Sequence, residues 1–120
     1  MIGQVIAHHA RLSIRFRLPG QPDLEIDSVI DTGFIGYLTL PMAAVLAMNL
    51  PFIRRMPVNL ADNSTITVEV YAATILWNGE EREQEVLATG IHPLIGTLLL
   101  EGSELNVQFA EGGLVTVEIL

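Results

Sequence analysis

The sequence contains no cysteine. A disulfide framework, a thiolate zinc site and a cysteine nucleophile are therefore excluded together, and packing must stabilise the fold. Basic residues are also few, because six Lys and Arg face fourteen Asp and Glu, for a formal net charge of −8. No basic cluster is larger than Arg54-Arg55, so we expect no nucleic-acid partner.

Long apolar runs are missing as well. No stretch reaches the roughly 20 residues that a membrane-spanning helix needs, and His8, His9 and Arg11 precede any long apolar run, unlike in a signal peptide. We therefore expect no membrane partner and a cytoplasmic location. His8 and His9 are neighbours on a predicted strand and would point to opposite faces, so we expect no metal site there. No other pattern calls for a cofactor, and none is expected.

The remaining composition is that of a folded β-protein. Half of the 120 residues are hydrophobic and 17% are charged, which fits one domain over residues 1–120. Leu12, Ile14 and Phe16 alternate with polar residues, Asn78-Gly79 is typical of a tight hairpin, and only Pro41 to about Met48 favours a helix. We predict an all-β fold with one or two short helices; further predicted strands are Leu24 to Asp31, Val58 to Ala61, Thr65 to Trp77, Glu83 to Ala88, Leu105 to Phe109 and Leu114 to Leu120.

The sharpest local feature is Asp31-Thr32-Gly33, which follows the apolar pair Val29-Ile30. It brings a carboxylate, a hydroxyl and a flexible residue together at the end of a predicted strand. Taken alone, it has a plain structural interpretation, in which Asp31 begins a turn and caps its own backbone. Leu94-Ile95-Gly96-Thr97 repeats the apolar pair and glycine later in the chain, as in a domain built from two similar halves.

Four segments occur in the order seen in retropepsin-like aspartic proteases and span nearly the whole chain: Val29 to Phe34, the apolar run to Leu40-Pro41, a hairpin tip at Ala61-Asp62-Asn63-Ser64, and Leu94 to Leu99. More narrowly, the sequence resembles prokaryotic members of that group. Their motif reads Asp-Thr-Gly-Phe, and their C-terminal part is similar to Gly102 to Leu105 and Phe109 to Gly113. The resemblance implies a retropepsin-like closed β-barrel, half of an acid protease.

The resemblance also implies roles for individual residues. Asp31 would be catalytic, Thr32 would brace its loop against its twin across a dimer axis, and Gly33 would let the backbone pass close to the carboxylates. A peptide or protein substrate would be covered by a flap, with Phe34 in the substrate-binding region and Ile95 and Gly96 supporting the catalytic loop. The residues implied for the flap tip are Ala61, Asp62, Asn63 and Ser64.

Two positions depart from the family pattern. Many relatives carry a small residue after the motif glycine, and a hydroxyl there can hydrogen-bond the catalytic carboxylate, which Phe34 cannot do. The flap tip lacks glycine, so Asn63 is the residue best able to adopt a left-handed conformation.

One Asp-Thr-Gly motif supplies half of the carboxyl groups that aspartic-protease catalysis requires. Two carboxyl groups must share a proton, so that one acts as base toward water while the other polarises the scissile carbonyl. A two-fold homodimer would supply two copies of Asp31 as a coupled pair. We expect the C-terminal strand with Val115, Val117 and Ile119 to form the pairing edge, and Ile2 to Ile6 could do likewise.

These observations predict an aspartic-type endopeptidase that acts on peptide bonds as a homodimer. The alternative is a non-catalytic dimeric β-domain that binds peptides or proteins on the same scaffold. Phe34 and the glycine-free tip favour that alternative.

Overall fold

Ten strands and two short helices make up the fold, which a computed structural model describes for residues 1–120. Neither helix is long and apolar enough to cross a membrane. The predicted all-β class with short helices is confirmed. The strands are β1 (Ile2–Ile6), β2 (His9–Arg17), β3 (Leu24–Ile30), β4 (Leu38–Leu40), β5 (Phe52–Asn59), β6 (Thr65–Trp77), β7 (Glu80–Ala88), β8 (Leu94–Ile95), β9 (Ser103–Val107) and β10 (Leu114–Ile119), and the helices are α1 (Met42–Ala47) and α2 (Thr97–Leu100).

Six of the strands close into a ring. The sheet order is β5-β6-β7-β4-β8-β3-β2-β1-β10-β9, and β6 also pairs with β2, which joins the ends of the run from β6 to β2. β5 extends from β6 on one side, and β1, β10 and β9 extend from β2 on the other. The closed barrel expected from the sequence is therefore present, with two arms attached to it.

The alternation along β2 determines which of its faces is buried. Leu12, Ile14 and Phe16 lie in the core, each at most 1% exposed, and burial of each such side chain stabilises the fold by about 1.5–3 kcal/mol. The opposite face of β2 is charged and exposed to solvent. Its arginines form ion pairs with acidic residues: Arg11 with Asp27 and Arg15 with Glu25 of neighbouring β3, and Arg17 with Asp23, which directly precedes β3.

The two similar segments noted in the sequence lie side by side. β3 and β8 are parallel neighbours, with Val29 opposite Leu94 and Ile30 opposite Ile95. Each strand leads directly into a loop, at Asp31 and Gly96 respectively. The chain therefore brings its two apolar-pair-and-loop segments to the same end of the barrel.

Three expectations from the sequence are wrong. The C-terminal strand is not an edge, because β10 lies between β1 and β9, and β1 lies between β10 and β2. Val115 and Val117 are fully buried as a result. β5 begins at Phe52 rather than near Val58, and His8 lies in the β1–β2 turn with φ 69° instead of on a strand.

Candidate active site

Asp31 is the first residue after β3, and its loop is fixed by hydrogen bonds at both ends. Its N–H donates to the Ile95 carbonyl at 2.9 Å, and its carbonyl accepts from the Phe34 N–H at 3.1 Å. The Gly33 N–H donates to Asp31 Oδ1 at 2.9 Å. This is the self-capped turn that the plain interpretation predicted, so that turn by itself does not separate a structural from a catalytic aspartate.

The Asp31 carboxylate is half-exposed and makes no other hydrogen bond or ion pair within the chain. Thr32 and Gly33 are exposed beside it. One oxygen is therefore oriented by the backbone, while the other remains open to water or to a further group. A single chain presents one such carboxylate at this end of the barrel.

The structure brings Ile95 and Gly96 against the Asp31 loop, and their role in supporting catalysis stays a prediction. Beyond the bond from Asp31 to Ile95, the start of α2 adds a row of bonds to the far side of the loop. The Gly96 N–H donates to the Tyr37 carbonyl at 2.9 Å, and the Thr97 N–H donates to the Phe34 carbonyl at 2.9 Å. The Leu98 N–H donates to the Gly36 carbonyl at 3.1 Å. The loop is thus hydrogen-bonded to β8 on one side and to the start of α2 on the other.

Phe34 takes a packing position in this loop. It is half-buried, and its ring covers Gly36 and Gly96 so closely that a Cβ on either glycine would collide with it. The ring therefore occupies the space that side chains at these two positions would need. Its predicted contact with substrate stays a prediction.

The predicted flap tip connects β5 and β6 and is exposed from Ala61 to Ser64. Asp62 Oδ1 accepts hydrogen bonds from the Ser64 N–H, at 2.9 Å, and from the Ser64 hydroxyl. That hydroxyl, more than the N–H, lowers the pKa of Asp62 below its ordinary value. Asn63 has φ 66°, as the sequence predicted for the one residue suited to it. No hydrogen bond joins this tip to the Asp31 loop.

A cavity of about 170 Å³ opens where the Asp31 loop meets the base of β5. Its one charged wall is a bidentate ion pair, in which Arg54 donates to both oxygens of Glu85 at 2.9 and 2.7 Å. These bonds raise the pKa of Arg54 and lower the pKa of Glu85. Sequence reasoning missed this cavity. Its lining residues are Ile35, Gly36, Tyr37, Leu38, Arg54, Met56, Glu85, Leu87 and Leu98.

Two other hollows differ in their relation to the loop. One, of about 240 Å³, lies beside Thr32 and is bordered by Leu105 and Val107 of β9 and by Phe109. The largest hollow, about 660 Å³, lies along β1 near Gly3 and does not touch Asp31. The volume of the hollows alone would therefore not identify the Asp31 loop as the candidate active site.

Two of the solved structures that are similar to this chain are described as proteases. The solution structure of simian foamy virus protease matches with a TM-score of 0.53 and 22% identity, covering 75% of this chain and 90% of that one. The crystal structure of a retropepsin-like aspartic protease from Rickettsia conorii matches with a TM-score of 0.58 and 11% identity, covering 100% of this chain and 91% of that one. No family model and no curated protein sequence matches. The chain thus has a retropepsin-like fold.

Proposed function

We propose that this protein is an aspartic-type endopeptidase that is active as a homodimer, with one domain over residues 1–120. The observation that carries the proposal is the position of the Asp31 carboxylate and its single hydrogen bond within the chain. That carboxylate stands at the end of two parallel strands, oriented by the Gly33 N–H and otherwise unengaged. The fold around it is shared with two proteins described as proteases.

The chemistry would need a second copy of the same carboxylate. Two Asp31 groups facing each other across a two-fold axis would share one proton, because two ionised carboxylates at such short range repel strongly. The ionised member would accept a proton from water as it attacks the peptide carbonyl, and the protonated member would donate to the carbonyl oxygen. Thr32 is the exposed neighbour that would meet its twin.

Substrate would lie extended between the Asp31 loops and the β5–β6 hairpins, held by backbone hydrogen bonds in the manner of an added strand. The cavity beside Ile35 would receive one of its side chains. The apolar lining from Tyr37, Leu87 and Leu98 favours an aliphatic group. We also propose that the chain belongs to the prokaryotic type with an Asp-Thr-Gly-Phe motif, on the basis of residues 31–34 and the C-terminal segment.

The test is hydrolysis of a mixed peptide library between mildly acidic and neutral pH by wild type and Asp31→Asn. The asparagine keeps an Oδ1 acceptor for Gly33, so the fold should persist while turnover is lost. Asp27→Asn is the matched control, because Asp27 lies on β3, the strand that leads into the Asp31 loop, and pairs with Arg11 outside that loop. Equal turnover by wild type and Asp31→Asn would overturn the proposal.

A second candidate is a dimeric domain that binds peptides without cleaving them. Phe34 favours it, because this residue has no hydroxyl that could hydrogen-bond the Asp31 carboxylate, and its ring packs over Gly36 and Gly96 instead. In that case wild type and Asp31→Asn would bind the same peptides, and neither would cleave them.

A further inference from the structure

The cavity of about 170 Å³ beside Ile35 has one charged wall in a mostly apolar lining. That wall is the Arg54–Glu85 ion pair. Ile35 and Gly36 also line the cavity, and they belong to the loop that begins at Asp31. A side chain that enters the cavity therefore belongs to a peptide that passes beside the candidate active site.

The ion pair spans β6, the strand between β5 and β7. Arg54 is registered with Val70, and Glu85 is registered with Ala72. Val70 and Ala72 are two positions apart, so they lie on the same face of β6. Ala72 carries only a methyl group, which leaves Arg54 room to reach across β6. The register of the sheet thus sets the place of the ion pair in the cavity wall.

Both members of the pair keep unused hydrogen-bonding groups. Arginine has five N–H donors, and only two of those of Arg54 are used, one on each oxygen of Glu85. Each carboxylate oxygen has a further lone pair to offer. The Arg54 and Glu85 side chains are 47% and 42% exposed, so a bound group can reach them. The wall therefore offers donors and acceptors side by side, with no net charge.

A carboxamide matches this wall better than a charged group does. Its carbonyl oxygen accepts hydrogen bonds and its NH₂ group donates them, so it can bond Arg54 and Glu85 at once. A carboxylate is attracted to Arg54, but it has no donor for Glu85, whose like charge repels it. An ammonium group has the converse defect, because it has no acceptor for Arg54. An aliphatic group would fill the apolar part of the cavity and leave the ion pair to water.

We infer that the cavity beside Ile35 is a subsite for a carboxamide side chain, that of glutamine or asparagine, in a peptide substrate. This inference rests on the proposed function and deepens it, because it names a class of substrate. The aliphatic stem of the side chain would lie against Leu87 and Leu98. Its amide would bond the Arg54–Glu85 pair, which selects against a charged side chain of the same length.

Peptide binding tests this selection without hydrolysis when it is measured on Asp31→Asn. The probes are three sets of acetylated hexapeptides of leucine and alanine, with glutamine, glutamate or lysine placed at each position in turn. Near neutral pH the glutamate side chain is ionised, and the hydrogen bond from Arg54 lowers the pKa of Glu85, so the wall keeps both charges. The best glutamine peptide should bind roughly 2- to 12-fold more tightly than the best of either other set, as expected for one hydrogen bond. Three sets that bind equally, or none that binds, would overturn the inference.

Removal of one charge should change the preference in a defined direction. With Glu85→Gln added to Asp31→Asn, the wall is cationic and glutamate peptides should bind more tightly than glutamine peptides. With Arg54→Gln the wall is anionic, and lysine peptides should bind most tightly. Glu25→Gln and Arg15→Gln are the matched controls, because they change the net charge equally in an ion pair outside the cavity. An order that Glu85→Gln leaves unchanged, or that Glu25→Gln changes equally, would overturn the inference.

Exchange of the two charges separates loss of selection from damage to the sheet. Arg54→Glu combined with Glu85→Arg makes the wall neutral again and should restore the preference for glutamine. A folded double variant without that preference would overturn the inference. If wild type shows the expected order of affinities but cleaves none of the peptides, the result would count against the proposed function alone. Equal cleavage of all three sets would overturn the inference alone.

Discussion

Gly96 lies directly against the carbonyl oxygen of Gly36, with no room for a side chain between them. The Phe34 ring closes the same space from the other side. This contact joins the residue before α2 to the far end of the Asp31 loop, so the position of the loop depends on Gly96, sixty positions after Gly36 in the chain.

Gly96→Ala should therefore displace the loop. A methyl group here meets backbone, which cannot rotate away, and we expect a loss of about 1–3 kcal/mol in the free energy of unfolding. Urea unfolding measures that loss, and peptide hydrolysis should fall with it. Gly20→Ala is the control, because Gly20 lies in an open turn with a positive φ. It should lower stability while sparing activity, and an unaffected Gly96→Ala would show that the loop yields easily.

Mixing experiments should show that two Asp31 groups act together. If wild type is mixed with increasing amounts of Asp31→Asn at constant total protein, activity should fall with the square of the wild-type fraction, because mixed dimers hold one carboxylate each. A linear decline would mean that each chain works alone. Asp27→Asn in the same titration should cause no decline.

The cavity beside Ile35 should select side chains by size. At about 30 Å³ per water molecule, its 170 Å³ equals roughly five to six waters, which suits one aliphatic group. Leu87→Phe should fill it and lower kcat/KM by about 10- to 200-fold for peptides with leucine at the fitting position, while alanine peptides change little. An equal loss for both peptides would indicate general damage to the site.

The left-handed residue at the hairpin tip should affect turnover more than folding. Asn63→Val forces a branched side chain into φ 66°, at a cost of about 1–2 kcal/mol. If the tip must close over substrate, that cost corresponds to about a 5- to 30-fold loss in kcat/KM. Asn63→Gly should retain activity. If both variants match wild type, the tip does not act on substrate.

The Arg54–Glu85 pair should make stability depend on pH in a defined direction. Arg54 lowers the pKa of Glu85 in the folded state below its ordinary value of 4.5. The stabilisation is therefore present above that ordinary value and is lost as pH falls through the folded-state pKa. Both side chains are more than 40% exposed, so the effect should be small. Glu85→Gln should lower the urea midpoint modestly at pH 6, and its difference from wild type should shrink as the pH falls below 4.5. Glu83→Gln, at a position without an ion pair, should change the midpoint at neither pH.

Local patterns predicted the parts of the fold that are governed by neighbouring residues. The alternation of Leu12, Ile14 and Phe16 indicated a strand with one buried face, and Asn63 was identified as left-handed because few residue types tolerate that conformation. β5 was only partly predicted, since Phe52 to Arg55 are exposed and follow no period of two. The bulge after Phe52 further disrupts the pattern.

Long-range relationships account for the remaining errors. The alternation in β10 correctly indicated a strand, but no local signal shows that β1 and β9 occupy both of its sides. No local pattern links Arg54 with Glu85, because they lie on β5 and β7 and come together only when β6 pairs with both strands in the folded sheet. The candidate aspartate was identifiable from its motif, whereas the cavity beside it depends on residues from four separate segments.

The β5 edge of the sheet also bears on whether copies of this chain could join strand to strand without end. Pro57 has no N–H to offer a neighbouring strand, and Arg54 and Arg55 add charge to the same edge. A strand arriving there would pair incompletely, which disfavours continued addition into a fibre. Pro57 would thus help to keep any assembly finite.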